Sequence, residues 1–274
     1  MVYGIQEKRM RYLGFVVALL GLPLAANAAS APVCSHVVVT ADPAFPPFAW
    51  FDGQRLQGAS VDVVRLALDR IHLPYTIRYV GPFLRVLQSA RLGTVDIVTE
   101  LKQSPDRDAY LNYVPTPIFS NPTAVFVRAG TVRHFSGRDD LMGQKVGVTL
   151  GTRFGPDLDD FIATRLNPDA ATSIPDNFRM LAAKRVDYFI SPYYPAISYL
   201  ASEKQEDRFD VLNPFVATVN NYVGWSKKSP CLARLPAFNA ALAQIVSTGV
   251  VRQKISKNTA IWRDAPMTRQ PDLP

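Results

Sequence analysis

Residues 95–115 read Val95-Asp-Ile-Val-Thr-Glu-Leu-Lys-Gln-Ser-Pro-Asp-Arg107 and then Asp108-Ala-Tyr-Leu-Asn-Tyr-Val-Pro115. The stretch opens as a short apolar run, 95–98, of the kind that forms a buried strand, and turns polar within three residues. A guanidinium carried on a polar loop at the end of such a strand can hold a carboxylate through paired N–H donors. Arg107 is therefore expected to grip a small anionic ligand in a cleft that the rest of the chain builds. The ordinary alternative is a surface arginine paired with Asp106 or Asp108. No Ser-His-Asp or Cys-His constellation accompanies it. His36, His72 and His134 stand apart from one another and read as structural or surface residues, so no catalytic residue, metal site or cofactor is expected.

The 274 residues suffice for one large domain or two ordinary ones, and 48% hydrophobic with 19% charged residues is a normal globular composition. Residues 1–28 differ. Lys8, Arg9 and Arg11 precede an apolar run over 12–24, and Ala26-Asn-Ala28 supplies a small-x-small cleavage pattern. This reads as a secretory signal cleaved near Ala28, with Met10 an equally good start, and places the mature protein in the periplasm. Its loss removes three basic residues and one acidic one, so the formal charge of +7 falls to +5. That mild bias suits anionic ligands, while the lack of basic runs with interleaved aromatics argues against nucleic acid. Cys34 and Cys231 both flank predicted strands. In an oxidising compartment they are a candidate disulfide, the alternative being two buried thiols. A lipid anchor at Cys34 is rejected, because Ala31-Pro-Val33 offers no small residue beside it.

The elements that position Arg107 follow from periodicity. Residues 36–40 form a strand, and a loop stiffened by three prolines carries Phe45, Phe48 and Trp50. Val61, Val64, Leu68 and Ile71 recur at helical spacing over 59–73, ended by Pro74. A strand over 75–80 and a helix entered at Pro82 and stopped by Gly93 lead into the strand before Arg107. The order β-α-β-α-β implies a parallel sheet wrapped by helices. After a strand at 123–128 a second alternating unit begins. It has a strand at 145–149, a turn at Leu150-Gly-Thr152, helices at 157–166 and 177–184, a strand at 186–190 and a helix at 195–202. An extended segment over 215–225 returns the chain to a helical tail at 232–255, broken at Gly249 and followed by Trp262.

The order of these motifs resembles the extracellular solute-binding proteins of family 3, the amino-acid ABC transporter type with the type II periplasmic binding fold. The residues that carry the likeness are Phe45-Pro-Pro-Phe48, Gly58-Ala-Ser-Val-Asp-Val-Val64, Leu87-Gln-Ser-Ala-Arg-Leu-Gly-Thr-Val-Asp96 and Ser104-Pro-Asp-Arg107. In the second half they are Asp140-Leu-Met-Gly-Gln-Lys-Val-Gly-Val-Thr-Leu-Gly-Thr152 and Ala182-Ala-Lys-Arg-Val-Asp187. The resemblance implies an α/β fold of two lobes, each a mostly parallel sheet flanked by helices and joined by two crossing strands. Residues 29–128 would form lobe 1 and 129–217 lobe 2, with the return strand and C-terminal helices of 218–274 packed on lobe 1. It further implies a monomer that encloses a small solute and delivers it to the permease of an inner-membrane ABC importer.

By the same resemblance Arg107 binds the ligand carboxylate bidentately. Gly151 and Thr152, opening a helix, would hold it from the other lobe through backbone N–H groups and the hydroxyl. Phe45, Phe48 and Trp50 are candidates to stack on the ligand, and Thr99, Glu100 and Gln103 lie where the family places polar contacts. Two departures stand out. The usual Ala-Gly-x-Thr/Ser is replaced by Thr99-Glu-Leu-Lys102, one residue shorter. After Ile190, where amino-acid binders carry an Asp for the α-ammonium, this chain has Ser191-Pro-Tyr-Tyr194, with Ser191 and Tyr193 as candidate contacts around Pro192. An unpaired ammonium in a closed cleft is costly, so either Glu100 supplies its counter-charge or the ligand lacks the amine. The fold also hosts a periplasmic dehydratase of the cyclohexadienyl/prephenate type, for which Glu100 would serve as a general acid. A sensor or accessory protein that presents its ligand to a membrane partner is the third reading.

Overall fold

The computed structural model describes residues 1–4, 34–131 and 134–264; the signal-like segment falls outside these apart from its first four residues. The chain starts with β1 (Val37–Thr40), then a small antiparallel meander of β2 (Ala44–Phe45), β3 (Ala49–Phe51) and β4 (Leu56–Gln57). The proline-rich segment expected as a loop thus forms two short strands of this meander. α1 (Ala59–Arg70), β5 (Tyr75–Ile77), α2 (Phe83–Leu92) and β6 (Ile97–Leu101) follow, then the single turn α3 (Pro105–Asp108), β7 (Leu111–Tyr113) and the long β8 (Phe119–Arg128). The second half holds β9 (Val146–Thr149), α4 (Pro156–Arg165), β10 (Asp169–Ala171), α5 (Ile174–Ala182), β11 (Tyr188–Pro192), α6 (Tyr193–Ser202) and β12 (Phe209–Val211). β13 (Ala217–Ser226), α7 (Leu235–Ser247) and α8 (Val250–Arg263) end the described chain. Among the described residues no helix is long and apolar enough to cross a membrane.

The main sheet has the order β10-β9-β11-β8-β13-β6-β1-β5. β5, β1 and β6 are mutually parallel at one end, and β10, β9 and β11 at the other. Between them run the antiparallel strands β8 and β13, each ten residues long. β8 pairs with β11 through residues 123–126, and β13 pairs with β6 through residues 222–225. These two strands are the covalent and hydrogen-bonded link between two parallel sheets. The predicted parallel sheets are present, and β8 begins four residues earlier than its apolar run suggests.

Local chemistry explains the elements. Val64 and Leu68 of α1 are fully buried in a core shared with α7 and α8, so the C-terminal helices close the first half of the molecule, while Val61 packs with Ala41, Ala49 and Leu56. Gly58 precedes α1 at φ +138°, and a Cβ there would lie 2.2 Å from the Phe48 carbonyl oxygen, so only glycine fits. Along β8, Val125 and Val127 face one core while Ala124 and Phe126 face another, as a strand covered on both sides requires. Cys34 and Cys231 are joined by a disulfide, their Cα atoms 4.6 Å apart, which pins the start of β1 to the segment before α7.

Three boundaries differ from expectation. β6 starts at Ile97 and continues through Thr99, Glu100 and Leu101, because β13 pairs with it as far as Tyr222–Leu101 and so supplies partners for the backbone of the polar residues. α4 starts at Pro156 behind Gly155, so Gly151 and Thr152 belong to the preceding loop rather than to a helix start. Trp262 lies inside α8, where it packs on Trp50 and donates from Nε1 to the Ser198 carbonyl at 2.9 Å.

Candidate functional site

Parallel strands bring their carboxyl ends, and the loops that leave them, to one edge of a sheet, and here both sheets turn that edge to the same cleft. Asp42 follows β1, Lys102 follows β6, Thr152 follows β9 and Pro192 ends β11. All four line a cleft partly open to solvent, together with Phe45, Phe83, Glu100, Leu101, Arg107, Arg153 and Asn221.

Arg107 is positioned by α3. Pro105 is compatible with the first helical position, and one turn later the Arg107 side chain points back under the loop, only 2% exposed. Its Nη1 donates to the Lys102 carbonyl at 2.9 Å and its Nη2 to the Gly151 carbonyl at 2.6 Å, while its guanidinium lies 5.6 Å from the Phe83 ring. Nε is buried and has no hydrogen-bond partner among the described residues. Asp106 pairs instead with Arg153 at 3.2 Å, so two polar contacts bridge the cleft.

Lys102 is 5% exposed. Its Nζ is buried without a hydrogen-bond partner among the described residues, 5.5 Å from the Phe154 ring. Burial pushes this ammonium down to about 8, and Arg107 adds to the fall while Asp159 opposes it.

Glu100 is enclosed. Its Oε1 accepts from the Asp42 N–H at 3.0 Å, and its Oε2 lies 2.6 Å from Ser60 Oγ and in hydrogen-bond contact with Thr99 Oγ1. Burial pushes its carboxyl well above the usual range. Ser60 has one hydroxyl hydrogen to share among its neighbours, of which the Phe48 carbonyl at 2.8 Å is one. Ser60 Oγ thus lies within hydrogen-bond reach of both the Phe48 carbonyl and Glu100 Oε2, and the Glu100 carboxyl is enclosed by its own cluster. Asp42 is partly buried, and burial lifts it to about 6 against the Ala44 N–H bond to Oδ1 and the attraction of Arg107.

Of the residues singled out in the sequence, Arg107, Glu100, Thr152 and Phe45 line the cleft, and Gly151 touches Arg107 through its carbonyl. The Thr152 N–H donates to the Thr149 carbonyl at 3.1 Å and so closes a turn. Thr99 stands behind Glu100, and Gln103 points to solvent. Phe48 is core, stacked 3.8 Å from Phe119, and Trp50 is buried against Trp262. Ser191 is buried with its hydroxyl 3.3 Å from the Pro192 carbonyl, and Tyr193 packs on Tyr194 and Phe215. Sequence reasoning passed over Asp42, Phe83, Lys102, Arg153 and Asn221 as contacts. For Asp42 a signal existed, since it lies two residues beyond the first strand of a β-α-β unit. Three further polar side chains on β8 and β13 have buried atoms with no partner among the described residues: Asn121, Thr123 and Asn221.

Two parallel sheets joined by two crossing strands, with a polar cleft at their facing carboxyl ends, define a two-lobed solute-binding fold of the type II periplasmic class. The chain belongs to the bacterial extracellular solute-binding proteins, family 3, whose model matches residues 37–259. No curated protein matches it. Among solved structures it is similar to an arginine-bound amino acid ABC transporter substrate-binding protein, AbpA of Streptococcus pneumoniae. The TM-score is 0.70 at 15% identity, covering 84% of this chain and 97% of that one. A histidine kinase sensor domain with similarity to periplasmic binding proteins gives 0.69 at 21%, covering 81% and 95%. The arginine-, lysine-, histidine-binding protein ArtJ of Geobacillus stearothermophilus gives 0.65 at 19%, covering 81% and 94%.

Proposed function

We propose that the mature chain is a periplasmic receptor that closes its two lobes on a small carboxylate-bearing solute, an amino acid or related organic acid, and hands it to an inner-membrane ABC permease. The observation that carries this reading is the state of Arg107, a buried cation in the cleft whose Nε lacks a partner among the described residues. Its five N–H donors exceed the two carbonyl bonds it makes, and a carboxylate matches the remaining fork. The crossing strands β8 and β13 are the natural hinge between residues 29–128 with 218–274 and residues 129–217. The family match and the signal-like segment support export and transport, with the receptor acting as a monomer.

Calorimetric titration of the wild type and of Arg107→Met with amino acids, organic acids and polyamines tests the reading. A carboxylate ligand should lose at least 100-fold in affinity in the variant; binding of polyamines alone would overturn it. The likeness to a kinase sensor domain favours one second reading, a receptor that presents its ligand to a membrane signalling partner. The enclosed Glu100, its carboxyl raised by burial, is the group a dehydratase would use as its acid, and turnover of candidate acids by the purified protein separates that from binding.

A further inference from the structure

The cleft contains more buried positive charge than one carboxylate requires. Lys102 and Arg107 both line it, both are at most 5% exposed, and each keeps a buried nitrogen with no hydrogen-bond partner among the described residues. Few negative groups stand against them. Glu100 is held within its own cluster by the Asp42 N–H, Ser60 and Thr99. Asp159 holds the Phe154 N–H at 2.8 Å and reaches Lys102 only as a longer-range charge. Asp106 is committed to Arg153, which leaves Asp42 as the remaining carboxylate of the lining. An ammonium held dry without a partner is costly, and a bound anion relieves that cost.

We propose that Lys102 is a specificity-determining residue that takes a second acidic group, so that the cleft selects small dicarboxylates over neutral and cationic amino acids. This rests on the reading of Arg107 as the first carboxylate site. An acidic amino acid would place its ammonium against Asp42, and a plain diacid would leave Asp42 to water; both share the two-carboxylate chemistry. The geometry also opposes a cationic ligand, whose side chain would have to share the lining with Lys102, Arg107 and Arg153.

The test uses isosteric pairs that differ by one charge, L-glutamate against L-glutamine and glutarate against glutaramate, titrated calorimetrically into the mature protein, with L-arginine and succinate alongside. The diacid of each pair should bind at least tenfold more tightly. Lys102→Met should bring glutamate or glutarate down to the level of its amide partner, at least tenfold, while the amides change less than about twofold. Lys102→Arg should keep the preference, and an unchanged or raised melting temperature of the Met variant would show that the fold is intact. The proposal is overturned if no diacid binds, if L-arginine binds more tightly than every diacid, or if Lys102→Met weakens both members of a pair equally. The last result would mean that one carboxylate bridges both cations. Failure of the Arg107 reading is separate: it would appear as retention of every acid by Arg107→Met. Comparing glutamate with glutarate reports on Asp42.

Discussion

Arg107 donates from Nη2 to the carbonyl oxygen of Gly151 at 2.6 Å, so the residue assigned to the ligand carboxylate also holds the two walls of the cleft together. Under the proposed function, ligand binding and lobe contact share one side chain. The neighbouring Asp106–Arg153 pair spans the same gap at 3.2 Å with both side chains partly exposed.

The Asp106–Arg153 pair should contribute modestly to closure. Exposed pairs are worth up to about 1 kcal/mol and are screened by salt. Asp106→Asn should weaken ligand affinity by no more than about fivefold in low salt, with the difference disappearing near 1 M salt. Calorimetry at two ionic strengths checks this, and a loss that persists at high salt would assign Asp106 another role.

Glu100 and Asp42 should make the ligand-free protein less stable as pH rises. Both carboxyls are raised in the folded state, Asp42 to about 6 and Glu100 well above its ordinary value, so the folded chain binds more protons than the unfolded one. Their penalty is absent below the unfolded carboxylate range and grows from about pH 4 through the folded values. Glu100→Gln should flatten that slope and leave stability at pH 7 unchanged or higher. Urea denaturation between pH 4 and 8 measures it; a steeper slope in the variant would show that Glu100 is ionised.

Phe45 and Phe48 should separate function from folding. Phe45 lines the cleft, whereas Phe48 is fully buried in the core against Phe119. Phe48→Ala should cost about 3–5 kcal/mol of stability. Phe45→Ala should cost clearly less and act mainly on ligand affinity. Chemical denaturation and titration of both variants decide, and the assignment fails if the two effects are exchanged.

The Cys34–Cys231 disulfide closes a separation of 197 residues. Removing it with Cys34→Ser and Cys231→Ser together should cost about 2–5 kcal/mol, because the unfolded chain regains its freedom. Neither cysteine lines the cleft, so ligand affinity should hold within about twofold. Denaturation midpoints with and without reductant, followed by titration, measure both quantities.

Much of the frame was legible in the residues. The 3.6-residue recurrence of Val61, Val64 and Leu68, and the stop of α2 at Gly93 with φ +78°, follow from local periodicity and backbone sterics, which need no distant partner. The Ser104-Pro-Asp-Arg107 turn likewise places its arginine by local geometry, and motif order marked the family. What lay beyond the sequence depended on neighbours far along the chain. β6 extends through Glu100 only because β13, more than a hundred residues later, pairs with it. Phe48 and Trp50 read like Phe45 in a proline-rich stretch, yet Phe119 and Trp262 draw them into packing contacts and leave Phe45 to the cleft. Lys102 reads as an ordinary loop lysine until the second sheet is folded over it and Phe154 covers its ammonium. The sequence alone determined the helices, the α/β alternation and the turn that carries Arg107, because those depend on near neighbours. Only the tertiary structure decided which charges lose their water, and with that which side chains the cleft can set against a ligand.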